Sequence, residues 1–146
     1  MEAVLVALFT LDGVPFLYNG QEVADTAKHS IYGKLPVNWA NGETPAGQAR
    51  FAFCQKLCAL RKTEKALTQG ELTWLDSDQP EAVLSFARTL GAERIMTLIN
   101  LTGKAVSVKV TGADDGAFKA LASAHADRNA KEGFKLDAYG YWVGKQ

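Results

Sequence analysis

Gly70 separates two stretches of different hydrophobic period, and that change limits the folds open to this chain of 146 residues. Before it, Thr44 and Pro45 stand as N-cap and first helical residue, followed by apolar side chains at Ala49, Phe53, Leu57 and Leu60. That pattern predicts an amphipathic helix running to about Lys62, with Arg61 and Lys62 near its negative C-terminal end. After Gly70 the period becomes two. Leu72 and Trp74 alternate with polar neighbours, and Val106, Val108 and Val110 alternate with Ser107 and Lys109. Residues 82–88, 94–101, 105–110 and 118–122 are further strand-length runs, with turn signals at 90–92, 102–104 and 112–116. About seven short strands at this spacing predict an antiparallel β-sandwich.

The N-terminal stretch reads differently again. Residues 3–9 are apolar on every side, which predicts a helix buried on most of its faces, and Asp12-Gly13 supplies its stop. Residues 14–18 form a near-continuous apolar run, as in a parallel strand covered on both faces, before Asn19-Gly20 turns the chain. Residues 23–43 mix charges with His29, Gly33, Pro36 and Asn41-Gly42, without a sustained period, and read as a long loop. Loops longer than about 15 residues are usually functional or disordered.

Charge and cysteine content exclude several classes. Lys plus Arg equals Asp plus Glu at 16 each, so there is no basic field for nucleic acid. The apolar stretch at 3–9 is far short of the ~20 residues that span a bilayer. It is also not expected to be a signal peptide, because Glu2 precedes it without a positive charge and no small-residue cleavage site follows. Cys54 and Cys58 are four apart on the predicted helix, the wrong spacing for C-x-x-C redox or zinc pairs, and are expected to be core residues. No cofactor and no metal are expected.

Residues 13–22, Gly-Val-Pro-Phe-Leu-Tyr-Asn-Gly-Gln-Glu, resemble the G-x-P-x-x-Y-x-G-x-E signature of the α-amylase family, glycoside hydrolase family 13. In that family the segment is the eighth and last strand of a catalytic (β/α)8 barrel. Residues 82–88, of the form v-l-s-F-x-R, and 94–101, ending in Asn100-Leu101, resemble parts of the family's C-terminal β-domain. Residues 136–143, Leu-Asp-Ala-Tyr-Gly-Tyr-Trp-Val, resemble its closing strand, L-x-P-Y-G-x-x-V, with Ala138 in place of Pro. A whole barrel takes about 250 residues and does not fit. The resemblance therefore implies an α+β fragment. Residues 1–69 would be the last helix-strand-loop-helix unit of a truncated TIM barrel, and 70–146 a C-terminal antiparallel β-sandwich domain.

The implied function is that of a C-terminal fragment of an α-amylase-type glycosidase acting on α-glucans such as starch and maltooligosaccharides. The parent would be a retaining hydrolase, and retaining chemistry needs two carboxylates about 5 Å apart. In the family the catalytic acids follow barrel strands four, five and seven, so none is carried over and the chain is expected to be structural and inactive alone. Two alternatives stand beside this: a carbohydrate-binding module, or one half of a split glycosidase. Near the implied active-site rim are Glu22 and Asp25, with His29 further along the loop. Glu22 suits a hydrogen bond to strand-end backbone, and Glu22 and Trp39 are the candidate substrate contacts. Tyr32, like Trp39, offers a ring on which a sugar could stack. His29 reads as an ordinary loop residue. Trp74, Tyr139, Tyr141 and Trp142 are expected to pack in the sandwich, or as an exposed pair to bind glucan. Asp76, Asp78 and Asp114-Asp115 read as solvated turn residues, with calcium a distant second. The expected partners are the missing N-terminal barrel portion and another copy, associating through residues 1–20. Weak contact with α-glucan is the most expected of a ligand, and neither nucleic acid nor membrane is expected.

Overall fold

The computed structural model describes residues 2–27, 32–112, 118–129 and 133–146. Its helices precede its strands: α1 (Glu2–Thr10), α2 (Pro45–Thr63) and α3 (Lys65–Gln69), with 3-10 turns at Gln21–Val23 and Trp39–Glu43. The strands are β1 (Glu71–Trp74), β2 (Val83–Leu90), β3 (Glu93–Asn100), β4 (Val106–Val108), β5 (Lys119–Asn129) and β6 (Gly133–Lys145). No described helix is long and apolar enough to cross a membrane.

The strands form a single antiparallel sheet, ordered β1-β2-β3-β6-β4, with β5 on the other edge of β6. The strands expected to form an antiparallel β-sandwich are bonded into one sheet that curls, and the long strand β6 is the physical reason. Its C-terminal half pairs with β3, from Ile99↔Tyr141 to Ile95↔Lys145. Its N-terminal half pairs with β4 along the same edge, from Val106↔Leu136 to Val108↔Phe134. Between the halves residues 137–140 leave the ladder, since Ala124 pairs with Tyr141 whereas Ala126 pairs with Leu136. Tyr139 and His125 both take positive φ at this corner, 56° and 53°. Gly140 is required there, because a Cβ would lie 2.3 Å from the His125 carbonyl oxygen. Asn100 holds the corner. Its Nδ2 donates to the carbonyls of Lys104 (2.7 Å), Asp137 (2.8 Å) and Leu136 (3.3 Å), and its Oδ1 accepts from the N–H and hydroxyl of Thr102.

Curling gives the sheet two buried faces. Met96 and Leu98 of β3 join Val83, Val108, Phe118, Phe134, Leu136 and Trp142 inside the curl. Ile95 and Ile99, with period-two alternation, face the opposite way and meet Tyr141, Val143 and the helical residues Leu5, Val6, Phe9, Cys54, Leu57 and Leu67. Each such side chain contributes about 1.5–3 kcal/mol when fully buried.

The helices confirm their sequence signals at the ends more closely than along the faces. Thr44 Oγ1 accepts from the Gly47 N–H (3.1 Å), the N-cap the sequence predicts. Gly47, Cys54 and Leu57 are the buried residues of α2, whereas Ala49 is exposed. The stripe shifts because α2 presses on the second 3-10 turn at Gly47, where a Cβ would lie 1.9 Å from the Asn41 carbonyl oxygen. Cys58 is likewise exposed, so only Cys54 of the two thiols is a core residue, and both are free. Helix α1 buries Ala3, Leu5, Val6, Phe9 and Thr10 but exposes Val4 and Leu8, so it is covered on one side rather than on most.

Residues 14–18 do not form a strand. A strand exists by pairing, and none of the described strands lies beside this segment to supply a ladder. Val14 is 94% exposed and Phe16 70%, while Leu17 turns inward against the helix-side core.

Candidate functional site

The loop that follows α1 is built by its own polar groups. Arg61 reaches back from α2 to the end of α1, where Nη1 donates to the carbonyls of Phe9 (2.7 Å) and Leu11 (3.1 Å) and Nη2 to that of Gly13. The sequence placed Arg61 at the C-terminus of its own helix. It caps a different one, because the last turn of α1 presents orphan carbonyls directly beside it.

Gly20 then takes φ +93°, and a Cβ there would come within 3.0 Å of both Asp25 Cβ and Val37 Cγ1. Its N–H donates to Glu22 Oε2 (2.9 Å), and its carbonyl accepts from the N–H groups of Val23 (3.2 Å) and Asp25 (2.9 Å). Asp25 ties the loop together: Oδ1 accepts from the Ala27 N–H (3.1 Å) and Oδ2 from the Asn38 N–H (3.2 Å). Asn38 Nδ2 donates to Asn41 Oδ1 (3.1 Å) ahead of the Thr44 cap. Both 3-10 turns pack on α2 and touch each other.

Glu22 and Trp39 therefore lie on adjoining turns. Trp39 is exposed, and the Glu22 carboxylate accepts a bond from backbone of its own turn. Neither lines the cavity of about 250 Å³ beside them, which is bordered by Leu5, Gln21, Ala24, Asp25, Thr26 and Arg50. Arg50 carried no sequence signal, since a lone cation on a helix ordinarily faces water. Burial pushes the Cys54 thiol up, Arg50 working against this and Glu22 with it, so Cys54 is an inert core thiol. Glu22 and Asp25 both accept backbone N–H bonds, the role of turn staples rather than of an acid/base pair facing a sugar. Tyr32 is exposed. His29 and Asp114-Asp115 lie outside the described residues.

Elsewhere the aromatic residues separate by environment. Trp142 and Tyr141 are buried, while Trp74 and Tyr139 are exposed. Burial pushes the Tyr141 hydroxyl up, with Glu2 adding to it. Tyr141 borders a groove of about 550 Å³ between α2 and β5, lined also by Phe53, Lys56, Leu60 and Leu121. Asp78 Oδ1 accepts from the Lys109 N–H (2.8 Å), a structural tie. Among the described residues no group of three or more His, Cys, Asp or Glu side chains converges as a metal site would require.

A curled antiparallel sheet with helices on one face is the arrangement shared with a debranching enzyme from Nostoc punctiforme. The superposition has a TM-score of 0.77 at 25% identity and covers 99% of this chain but 30% of that one. In sequence, the chain is 27% identical over 105 residues to α-amylase 2 of Dictyoglomus thermophilum, covering 66% of this chain and 18% of that protein. It is 29% identical over 101 residues to a cyclomaltodextrinase of Geobacillus thermopakistaniensis, covering 68% and 16%. No protein-family model matches the chain. Its homologues are members of the α-amylase family, and it is to that family that the chain is related. The aligned part spans less than a fifth of the length of either curated relative.

Proposed function

We propose that this chain is the C-terminal, non-catalytic portion of an α-amylase-family glycosidase acting on α-glucans such as starch and maltooligosaccharides. The observation that carries the reading is coverage: nearly all of the chain, 99%, superposes on 30% of the debranching enzyme. The order of the amylase-like motifs, from residues 13–22 through 136–143, supports placing that portion at the C-terminus. In this reading residues 1–69 are the last helix-strand-loop-helix unit of a barrel and 70–146 the β-domain that follows. The exposed run at 14–18 would then be a strand whose neighbours belong to the remainder of the barrel. Glu22 and Trp39 would lie at its rim, Glu22 shaping the turn and Trp39 offering a ring to substrate.

The carboxylate pair for retaining hydrolysis, about 5 Å apart, would belong to that remainder. The isolated chain is accordingly expected to release no reducing sugar from soluble starch above a no-enzyme control, and measurable release would overturn the reading. In its isolated form the chain is expected to self-associate through residues 1–20, where Val4, Leu8, Val14 and Phe16 are exposed.

A further inference from the structure

Two of the exposed aromatic residues stand along one end of the sheet, away from the loop that carries Glu22 and Trp39. Trp74, at the end of edge strand β1, is 60% exposed, and Tyr139, at the corner of β6, is 58% exposed. They are joined by an exposed apolar step. Trp74 borders a groove of about 300 Å³ with Leu75, Pro80, Leu84 and Leu101, and Leu101 is itself exposed. Two residues beyond Leu101, Gly103 underlies the tyrosine: a Cβ there would lie 3.3 Å from the Tyr139 hydroxyl and 3.7–3.8 Å from ring carbons. The Tyr139 N–H donates to the Thr102 carbonyl (3.0 Å), which fixes its backbone in place.

Both rings are held rather than free. Trp74 is the cross-strand partner of Phe86, fully buried, whose ring meets it nearly edge-on at 5.7 Å and 71°. Tyr139 sits at φ 56°, a conformation a non-glycine residue adopts only when its surroundings impose it. Polar atoms interrupt the strip. The Ser85 hydroxyl donates to Leu75 O (2.7 Å) and is spent, whereas the exposed carboxylate of Asp76 makes no hydrogen bond or ion pair with another described residue. A rigid ring beside an unpaired acceptor is a poor seat for a wholly apolar partner. It suits a pyranose, which offers an apolar C–H face to a ring and hydroxyls at its edge to a carboxylate.

From this arrangement we infer that the Trp74–Leu101–Tyr139 strip, with Asp76, is a binding surface for a linear α-1,4-linked glucan. The choice of linkage rests on the α-glucan reading proposed above. Trp74 faces Phe86 while Val83 faces Asn100, so the groove extends about 10 Å along β2 before Leu101 is reached. A ligand touching both aromatic residues must therefore be a chain of several sugar units, and maltoheptaose binds more tightly than maltose.

The test is calorimetric titration of the whole chain with maltoheptaose, maltose and cellohexaose, using Trp74→Ala, Trp74→Phe, Tyr139→Asn and Trp39→Ala. The exposed position of Trp74 spares the core, asparagine accepts the positive φ at 139, and circular dichroism checks that each variant is folded. Maltoheptaose is expected to bind with Kd on the order of a millimolar, weakened about tenfold by Trp74→Ala whether or not Trp39 is also replaced, and partly restored by Trp74→Phe. Affinity lost only in Trp39→Ala would overturn this surface and leave the α-glucan reading standing. Trp74-dependent binding of cellohexaose alone would overturn the α-linkage and that reading with it. No heat with any of these sugars would overturn the inference itself.

Discussion

The guanidinium of Arg88 lies in a residue that is 2% exposed and donates to the Gly70 carbonyl through Nη2 (2.8 Å) and Nε (3.3 Å), and to the Thr10 carbonyl through Nη1 (3.4 Å). Together with Arg61 it satisfies carbonyls at the end of α1, and burial lowers the pKa of each arginine while the nearby Asp12 carboxylate raises it. Arg88→Met keeps most of the side-chain volume but leaves the carbonyls of Gly70 and Thr10 without these donors. The expected cost is about 2–4 kcal/mol in urea unfolding, with Arg88→Lys intermediate because an ammonium cannot reproduce the planar fork. A Met variant within about 0.5 kcal/mol of wild type would show that water replaces the arginine without loss. In the sequence Arg88 is legible as a strand residue and as the closing R of the v-l-s-F-x-R resemblance, but not as a tie to the end of α1. Its partners are 18 and 78 positions away, and hydrogen bonds over such separations leave no local pattern.

At the scale of elements, three ends meet in one ionic group. Glu93, at the start of β3, accepts the Ala66 N–H on Oε1 (2.9 Å), satisfying a donor in the first turn of α3. Its Oε2 lies 3.2 Å from Lys145 Nζ at the end of β6, and that ammonium also donates to Glu64 (2.6 Å) ahead of α3. The Ala66 N–H above all, and Lys145 with it, hold the Glu93 carboxyl below the usual carboxylate range despite some opposing desolvation. A folded-state pKa lower than the unfolded one means stabilisation that is present above the unfolded value and lost as pH falls through the folded one. Glu93→Gln is therefore expected to lower the urea midpoint at pH 7 and to lower it less at pH 3, because the charge contribution declines below about 4, where the unfolded carboxyl protonates, and is lost as pH falls through the lower folded-state value. An equal deficit at both pH values would mean that geometry, not charge, carries the contact. Elements whose signal is local were legible beforehand: Thr44-Pro45 marks the start of α2, alternation marks β1 and β4, and strand-length runs mark β2 and β3. What depended on a neighbour was not. Residues 14–18 have the composition of a buried strand but no ladder, and the corner in β6 requires Asn100 from another strand.

For the whole molecule, the helix-side core covers only one side of α1. Val4 and Leu8, one turn apart, face outward, and Val14 and Phe16 follow with little cover. Equal numbers of acidic and basic residues, 16 of each, give no net charge to keep copies apart. Under the proposed reading this surface belongs against the rest of a barrel. In the isolated chain a second copy is the most available apolar cover. We expect light scattering at tens of micromolar to report a dimer or larger species that dissociates on dilution. Val4→Ser combined with Phe16→Ser should leave a monomer of nearly unchanged stability, because both side chains are mostly exposed and contribute little to the core. Val14→Ser alone should shift the same equilibrium less, since it removes a smaller apolar area. A wild-type chain that stays monomeric across that range would show that the run at 14–18 is tolerated by water, and would remove the physical ground for placing a missing neighbour beside it.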